Sequence, residues 1–323
     1  MGRKKKIIFI ILITVFLVSF FALIFSLDAI FNVENNDNKK ASDLQKKSLV
    51  YFDDEAYKPK KTVNYLIIGI DSSGPLNASN SYMNTSLNDF VVLISFNREN
   101  KTYFFLPINR DTICKVYSIG LTGKVTGSIE TQLAYAHTQG NGLKPSFQNT
   151  LRSVSELLFS LDIERFVGIT MSAVPVINDF FGGVTITLDE DLSALDETWT
   201  MGSEITLYGD DSLKYVRARS EVSDGSNISR MRRQKKYITS LANKIRNGNY
   251  DPQTLLNLVD DYMCNNLVAG DYLDLKSYLE EYTYLRTYEI EGSSRIGDDG
   301  LAEFIVDLDK LKKLVIELFY NKA

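Results

Sequence analysis

The sequence predicts an α/β protein in which one N-terminal transmembrane helix precedes an α/β/α layered domain with a central mixed β-sheet. Three patterns predict it. A long apolar run stands at the N-terminus, short apolar runs alternate with amphipathic segments through the rest of the chain, and two of the short runs are separated by only five polar residues. The alternation favours a sheet with helices on both faces, whereas so short a connection indicates an antiparallel pair within that sheet.

The N-terminal run extends from Ile7 to Leu27 and is interrupted only by Thr14, Ser19 and Ser26. A helix of about 21 residues rises roughly 31 Å, which matches the hydrocarbon core of a bilayer. The basic residues 3–6 precede it and are expected to stay in the cytoplasm, so the rest of the chain lies outside. The run is longer than the apolar region of a cleaved signal peptide, and a retained signal peptide is the alternative.

These features predict four segments in chain order. Residues 1–6 are a cytoplasmic basic tail, 7–27 a transmembrane anchor, 28–61 a flexible linker and 62–323 an extracytoplasmic catalytic or binding domain. The linker prediction depends on the polar and charged composition of that segment. The expected location is the cell membrane, with a single span and the C-terminal domain on the extracytoplasmic side.

The charge of the chain argues against nucleic acid as a partner. The formal net charge is −5, and it falls to about −9 when the four basic residues before the anchor are set aside. Nucleic-acid binding requires a broad basic surface, which such a domain does not have. The two cysteines, Cys114 and Cys264, are compatible with a disulfide or with two buried thiols, and the sequence leaves both open.

Apolar patterns place the elements of the domain. Residues 63–70 form a continuous apolar strand that ends at Asp71, and residues 90–96 and 102–106 form the antiparallel pair. Because these runs lack polar alternation, we expect them in the centre of a sheet covered on two faces. Further strands are expected at residues 166–170, 184–188 and 285–290. Helical periodicity predicts helices at residues 147–161, 173–181, 210–216, 227–246 and 308–319.

The segment from Asp210 to Lys236 concentrates arginines in an otherwise acidic chain. Like charges at such spacing repel unless an anion lies between them, and the planar guanidinium holds phosphate oxygens in pairs. Arg217 and Arg219 lie on one side if the backbone there is extended. We therefore predict a phosphate-binding site; a solvated basic helix face is the alternative.

A second group in this segment has helical spacing. Arg230, Arg233 and Gln234 stand at i, i+3 and i+4, so they share one face of the predicted helix. Asn227 or Ser229 is expected to cap that helix. The two arginine-bearing elements are predicted to converge on the phosphate.

His137 is the only histidine, which excludes zinc sites built on several histidines, and we expect it to be structural. Carboxylates remain as metal ligands. Asp71 follows a predicted strand, Asp89 precedes one, and Asp111 follows Arg110 after the hairpin; Mg²⁺ prefers few carboxylates together with phosphate oxygens and water. The alternatives are a turn-forming Asp71, a strand-end Asp89, and Asp111 as the partner that holds Arg110.

Six short segments follow one another in a specific order and spacing. They are NYLIIGIDSS (64–73), NDFVVLISF (88–96), LPINRDT (106–112), QLAYAHTQGNG (132–142), VINDFFGGVTI (176–186) and the arginine-rich stretch from YVRAR to NISRMRRQ (215–234). Together they resemble the LytR-CpsA-Psr family of Gram-positive cell-envelope phosphotransferases. With the predicted anchor, the resemblance covers roughly residues 64–245.

The resemblance implies an enzyme that transfers a glycopolymer, such as teichoic acid or a capsular or wall polysaccharide, from a polyprenyl-pyrophosphate carrier to peptidoglycan. It implies Mg²⁺ as cofactor, an apolar pocket between sheet and helices for the lipid, and peptidoglycan as acceptor. An envelope protein that binds or hydrolyses polyprenyl pyrophosphate without ligase activity is the alternative.

The resemblance also implies roles for individual residues. Asp71 and Asp89 match the acids that hold Mg²⁺. The matches to the pyrophosphate clamp are Arg110, Arg217, Arg219, Arg230, Arg233 and Gln234. Of these, Arg110, Arg217 and Arg219, together with the neighbouring Asp111, are the predicted catalytic residues.

Four positions depart from the family pattern. They are Leu87 in place of Arg, Asn109 in place of Pro, Glu130 in place of Lys, and Asn227 in place of an acid. Without an acid at position 227 the general base is unassigned, and Asp89 and Asp224 are the candidates.

Overall fold

The computed structural model describes residues 49–79, 83–120, 122–219, 222, 225–248 and 250–323. The predicted basic tail, the predicted anchor at residues 7–27 and residues 28–48 of the predicted linker lie outside these ranges. Within the described ranges, no helix combines the length and the apolar character that crossing a bilayer requires.

The elements alternate along the chain. The strands are β1 Val50–Phe52, β2 Glu55–Pro59, β3 Thr62–Ile70, β4 Asn88–Asn97, β5 Thr102–Pro107, β6 Ile113–Ile119, β7 Val125–Gln132, β8 Arg165–Thr170, β9 Val184–Thr187, β10 Glu204–Leu207, β11 Met263–Asn265, β12 Thr283–Thr287, β13 Gly292–Ile296, β14 Ala302–Val306 and β15 Tyr320–Lys322. The α-helices are α1 Lys144–Leu157, α2 Ala173–Phe180, α3 Asp210–Arg217, α4 Asn227–Asn247, α5 Pro252–Val259, α6 Ala269–Glu281 and α7 Leu308–Phe319.

A six-stranded sheet organises the unit formed by residues 60–319. Its strand order is β11-β8-β3-β4-β5-β12. The β4–β5 pair is the predicted antiparallel hairpin, and β3 pairs antiparallel with β4 but parallel with β8. At the edges, β12 runs parallel to β5 and β11 antiparallel to β8. The prediction of a central mixed sheet is therefore confirmed.

Helices cover both faces of this sheet, because its central strands are apolar on both sides. On one face, Tyr65 and Phe96 pack in a cluster that includes Ala242 of α4 and Tyr278 of α6. On the other face, Phe147 of α1 stacks on Phe166 of β8 at 5.8 Å between ring centroids. The layered α/β/α arrangement predicted from the sequence is thus confirmed.

Residues 49–59 and 320–323 belong to a separate compact unit. Strand β1 pairs antiparallel with β2, which in turn pairs antiparallel with β15. The ring of Phe52 packs edge-on against Tyr57 and Tyr320, at centroid distances of 5.8 and 5.4 Å. This corrects the linker prediction for residues 50–59: the segment is polar on average, but its few aromatic residues supply the apolar contacts that strands require.

Several element boundaries differ from the predictions. Helix α4 is capped by neither Asn227 nor Ser229 but by Ser226, whose side chain accepts from the Ser229 N–H at 3.1 Å. Ser226 has the extended backbone that an N-cap residue requires, whereas Asn227 is already helical. Helix α1 ends at Leu157 instead of residue 161, because Phe159 and Ser160 adopt positive φ.

The cysteines are free thiols. Cys114 lies buried on β6, and Cys264 lies on β11 at the edge of the six-stranded sheet. Burial raises the pKa of the Cys114 thiol to about 12, so it stays protonated at neutral pH. Of the two possibilities that the sequence left open, the structure therefore contains the unpaired thiols.

His137 is structural, as expected. Its ring is fully buried and lies 4.5 Å from that of Phe147, measured between centroids. Its Nδ1 lies 3.0 Å from the Ser86 carbonyl oxygen, and because a carbonyl only accepts, Nδ1 carries the proton. Burial lowers the pKa of His137 from its ordinary value of 6.5 to about 4, so the imidazole is neutral at pH 7.

The lowered pKa of His137 predicts that the folded protein loses stability in acid. Between about pH 6.5 and pH 4 the unfolded chain binds a proton at His137 that the folded chain does not, so the free energy of unfolding falls as the pH drops through this window. We expect a loss of about 3 kcal/mol. Urea unfolding of residues 49–323 at a series of pH values measures it, with His137→Gln as the comparison. Equal pH slopes in both proteins would contradict the assignment.

The close packing of Gly168 on β8 against Phe147 predicts that a larger residue at this position destabilises the fold. A Cβ at this position would lie 2.2 to 2.6 Å from three ring atoms of Phe147, a distance that real contacts do not reach. We expect Gly168→Ala to lower the free energy of unfolding by roughly 1–3 kcal/mol or more, because the buried ring has to move. Gly127→Ala is the matched control, since a Cβ there meets nothing within 4 Å. The same stability for both variants would refute the close approach of β8 and α1.

Candidate active site

Two carboxylates lie together at the ends of two neighbouring strands, Asp71 after one strand and Asp89 at the start of the other, as predicted. Asp71 directly follows β3, and Asp89 lies near the start of β4, the neighbouring antiparallel strand. Asp71 Oδ1 accepts from the Leu87 N–H at 2.6 Å. Burial raises the pKa of the Asp71 carboxyl and the negative charge of Asp89 adds to this, while the Leu87 N–H and the charge of Arg110 oppose it. Leu87 thus contributes its backbone to the site, although its side chain replaces an expected arginine.

Asp89 is the centre of a charge cluster. Arg110 Nη1 donates to Asp89 Oδ1, and Arg230 Nη1 donates to Oδ2 of the same carboxylate at 3.3 Å. Arg110 Nε also lies 3.4 Å from Oδ1 of Asp111. Arg230 is only 4% exposed, and this burial lowers the pKa of its guanidinium, an effect that the charge of Asp89 opposes. Two of the predicted arginines therefore converge on one predicted metal ligand.

An amide bridge connects the loop after β5 to the start of α4. Asn227 Nδ2 donates to Asn109 Oδ1 at 2.6 Å, and Asn227 Oδ1 accepts from Arg230 Nε at 3.1 Å and from Nη2 at 2.6 Å. Asn109 Oδ1 also accepts from the Asp111 N–H at 2.9 Å. An ionised acid at position 227 would lack the donor for Asn109. The two unexpected asparagines therefore complement each other and hold Arg230 in place.

Arg217 and Arg219 flank the C-terminus of α3. Arg217 is the last residue of this helix, and Ala218 is extended. Arg217 is exposed, and its side chain makes no hydrogen bond or ion pair with any of the residues that the structure describes. Arg219 is half-buried and donates from Nε to the Gly225 carbonyl at 3.1 Å. Arg217 is thus the member of the predicted clamp that is open to an anion from solvent.

The hydrogen bonds of Arg233 and Gln234 go to Glu190 and to the end of α3, not to the Asp89 carboxylate. Arg233 is 1% exposed; its Nη1 pairs with Glu190 Oε1 at 3.0 Å, and its Nη2 donates to the Ala218 carbonyl. Gln234 Nε2 donates to the Val216 carbonyl at 3.3 Å. Both side chains satisfy carbonyls at the end of α3, which lack partners within that helix. This corrects the prediction for Arg233, whose guanidinium is buried and not presented to a ligand.

A cavity of about 200 Å³ lies between the sheet and the helices α2, α3 and α4. Its lining is mostly apolar and includes Ile67, Gly69, Ile70, Phe90, Ile169, Met171, Val174, Ile177, Leu213, Val216, Tyr237, Ile238 and Leu241. Three predicted site residues, Asp89, Arg217 and Gln234, line the same cavity. We call these three the polar edge. The cavity therefore combines a surface suited to an aliphatic chain with groups suited to a phosphate.

The sequence does not identify Glu190, Asn109 or Asn227 as parts of this site. The acidic pair Asp189–Glu190 after a predicted strand was the available signal, but nothing in the sequence relates it to Arg233. The cavity itself brings together residues from position 67 to position 241, so no local pattern contains it. Among the described residues, no group of three or more His, Cys, Asp or Glu side chains is arranged to hold a metal ion.

Comparison with known proteins identifies the family of the chain. The model of the LytR_cpsA_psr family matches residues 27–319. The chain is 26% identical over 270 residues to the polyisoprenyl-teichoic acid–peptidoglycan teichoic acid transferase TagU of Oceanobacillus iheyensis, covering 82% of this chain and 77% of TagU. It is 24% identical over 323 residues to biofilm regulatory protein A of Streptococcus mutans, covering 96% and 75% of the two chains.

The fold is also similar to solved structures. TagT bound to LIIa-WTA superposes with a TM-score of 0.62 at 21% identity, over 85% of this chain and 94% of that chain. At this level of identity the likeness shows the fold alone. The family model, in contrast, spans nearly the whole chain, and this protein therefore belongs to the LytR_cpsA_psr family.

Proposed function

We propose that this protein is a transferase that moves a glycopolymer, with one phosphate, from a polyprenyl-pyrophosphate carrier to a hydroxyl of peptidoglycan. The observation that carries the proposal is the cavity, in which an apolar lining and the polar edge of Asp89, Arg217 and Gln234 occur together. Membership of the family and similarity to TagU, named as a teichoic acid–peptidoglycan transferase, support the same reaction. Teichoic acid and a capsular or wall polysaccharide are the candidate glycopolymers.

The donor would bind in two parts. The isoprenoid would occupy the apolar lining, because removing its methylene and methyl groups from water is favourable. The pyrophosphate would lie at the polar edge, where Arg217 has no competing partner among the described residues and where Arg110 and Arg230 flank Asp89. Arginine suits this task because its planar guanidinium group binds phosphate oxygens in pairs.

The proposed reaction is a phosphoryl transfer. The hydroxyl oxygen of peptidoglycan attacks the phosphorus next to the glycan, and a new P–O bond forms. The bond between this phosphorus and the bridging oxygen breaks, its electron pair goes to that oxygen, and polyprenyl phosphate leaves. Arg217 and its neighbours would stabilise the negative charge on the transferred group, which is the main contribution that proteins make to such reactions.

The hydroxyl proton requires an acceptor. Asp89 is the candidate base among the described residues, whereas the other candidate, Asp224, lies outside them. Both Asp89 oxygens accept hydrogen bonds from guanidinium groups. Asp89 would therefore act as a base only after Arg110 or Arg230 turns to the pyrophosphate and frees one oxygen.

Mg²⁺ is the proposed cofactor: Asp71 would offer it one carboxylate oxygen, and Asp89 would offer another once Arg110 or Arg230 releases it. Asp71 and Asp89 are close enough for the charge of Asp89 to raise the pKa of Asp71, and the Leu87 N–H engages only one Asp71 oxygen. Two carboxylates at neighbouring strand ends, beside a phosphate site, suit Mg²⁺, which takes its remaining ligands from phosphate and water. When bound, the ion would neutralise charge on the pyrophosphate. The proposed location is the outer face of the cell membrane, held by the predicted span at residues 7–27.

Replacing Arg217 tests the donor site. We expect Arg217→Ala to lower kcat/KM by about 10²-fold, or about 3 kcal/mol, because a donor to the developing charge is lost. The full chain is incubated with a synthetic polyprenyl-pyrophosphoryl disaccharide, Mg²⁺ and a peptidoglycan oligomer, and mass spectrometry detects the glycan-phosphate adduct. Arg232→Ala removes an exposed arginine of α4 and is the matched control.

Three outcomes of that assay separate the functions. An adduct that Arg217→Ala abolishes supports the transferase. Lipid phosphate without an adduct indicates hydrolysis, and donor that stays bound and unreacted indicates a binding protein, the alternative that the neutral Asn227 favours. Equal turnover by Arg217→Ala and the parent chain would remove Arg217 from the site.

Replacing Asp89 tests the metal. We expect Asp89→Asn to shift the Mg²⁺ concentration that gives half-maximal activity upward by at least about tenfold, since even residues outside the first coordination shell contribute that much to metal affinity. A titration of activity against MgCl₂ measures the shift. Asp298→Asn, an exposed acid in the turn between β13 and β14, is the control. Superimposable titrations of Asp89→Asn and the parent would exclude Asp89 as a ligand.

A further inference from the structure

Glu190 has no role in the chemistry proposed above, yet its carboxylate pairs with the most deeply buried arginine of the site. Its Oε1 lies 3.0 Å from Arg233 Nη1, and the two side chains are 22% and 1% exposed. A buried guanidinium without a counter-charge is strongly unfavourable. The position of Arg233 therefore depends on Glu190.

Arg233 in turn holds the backbone between two site residues. Its Nη2 donates to the carbonyl of Ala218, the residue between Arg217 and Arg219. The neighbouring Gln234 donates to the Val216 carbonyl, immediately before Arg217. The carbonyls at the C-terminus of α3 have no partners within that helix, so these two side chains of α4 fix its last turn.

Buried residues on both sides of Glu190 hold its segment in place. It lies in the segment between β9 and β10, between the fully buried Leu188 and Leu192. Both leucines belong to one apolar cluster with Tyr215 of α3 and Tyr237 of α4. The carboxylate is thus anchored to the same two helices whose relative position it influences through Arg233.

We propose that Glu190 is a positioning residue for the anion-binding Arg217: through Arg233 it fixes the Ala218 carbonyl, and thereby holds Arg217 beside the cavity. This inference rests on the proposed function, because it assigns the arginines to an anionic ligand. It gives Arg233 an indirect role in place of the direct contact that its helical spacing predicted. A displacement of about 1 Å in such a group is enough to lower activity strongly.

The adjacent residue provides a matched control. Asp189 pairs with Lys236 at 3.1 Å, but its side chain is 71% exposed, so its ion pair is solvated. Glu190→Gln and Asp189→Asn each remove one negative charge from neighbouring positions of the same segment. Only Glu190→Gln removes the counter-charge of Arg233.

The experiment measures the affinity of the full chain in phosphatidylcholine nanodiscs for farnesyl pyrophosphate. We expect Glu190→Gln to weaken binding by roughly 10- to 100-fold, and Asp189→Asn to change it by less than about twofold. Arg217→Ala and the double variant Glu190→Gln/Arg217→Ala complete a cycle. If Glu190 acts through Arg217, the double variant binds about as weakly as Arg217→Ala alone.

A purely structural effect of Glu190 would not show this coupling. Parent affinity in Glu190→Gln, or losses that multiply in the double variant, would overturn the inference while leaving the proposed function intact. No binding of farnesyl pyrophosphate by the parent chain would instead overturn the proposed function and the inference with it.

A second variant covers the case in which Glu190→Gln does not fold. Glu190→Leu/Arg233→Met replaces the buried pair by apolar side chains, an exchange that proteins often tolerate without loss of stability. It also removes the hydrogen bond to Ala218. We expect this variant to fold, as judged by circular dichroism, and to bind farnesyl pyrophosphate as weakly as Glu190→Gln should. A folded variant with parent affinity would contradict the proposal.

Discussion

The candidate active site depends on the ion pairs that Arg110 and Arg230 make with Asp89. The two guanidinium groups share the Asp89 carboxylate, and Asp111 lies 3.4 Å from Arg110, in a place where Arg230 is almost fully buried. Charge in such surroundings is poorly screened, and an arriving anion gains more there than at an open surface. Burial raises the pKa of the neighbouring Asp71, and the negative charge of Asp89 adds to this rise.

The arginines of the 210–236 segment divide into two kinds. Arg230 and Arg233 are buried and hydrogen-bonded, and they connect α4 to Asp89 of β4 and to the end of α3. Arg217 is exposed and has no partner among the described residues. Buried arginines give the site its geometry, and the exposed arginine is the one that solvent-borne ligands meet first. A sequence rich in arginine therefore does not describe a uniformly basic surface.

The sequence predicted the central strands and most helices because these elements carry their signal locally. The apolar run before Asp71 and the polar gap between β4 and β5 are sufficient to place the sheet, and the helical spacing of α4 places its arginines on one face. The same spacing could not predict where that face points. Arg233 meets the end of α3, and this depends on tertiary packing that i, i+3 spacing does not encode. Likewise, the strands at residues 50–59 owe their formation to Tyr320, which is far away in the sequence.

The amide bridge has a consequence for how the site arises during folding. Asn109 and Asn227 are 118 positions apart in the chain, and Asp89 and Arg230 are 141 apart. Contacts between such distant positions close large loops, which have a high entropic cost and form late. The loop after β5 and the start of α4 therefore meet only when distant parts of the chain come together. Before they meet, the chain contains its arginines but lacks the arrangement around Asp89 that the proposed anion site requires.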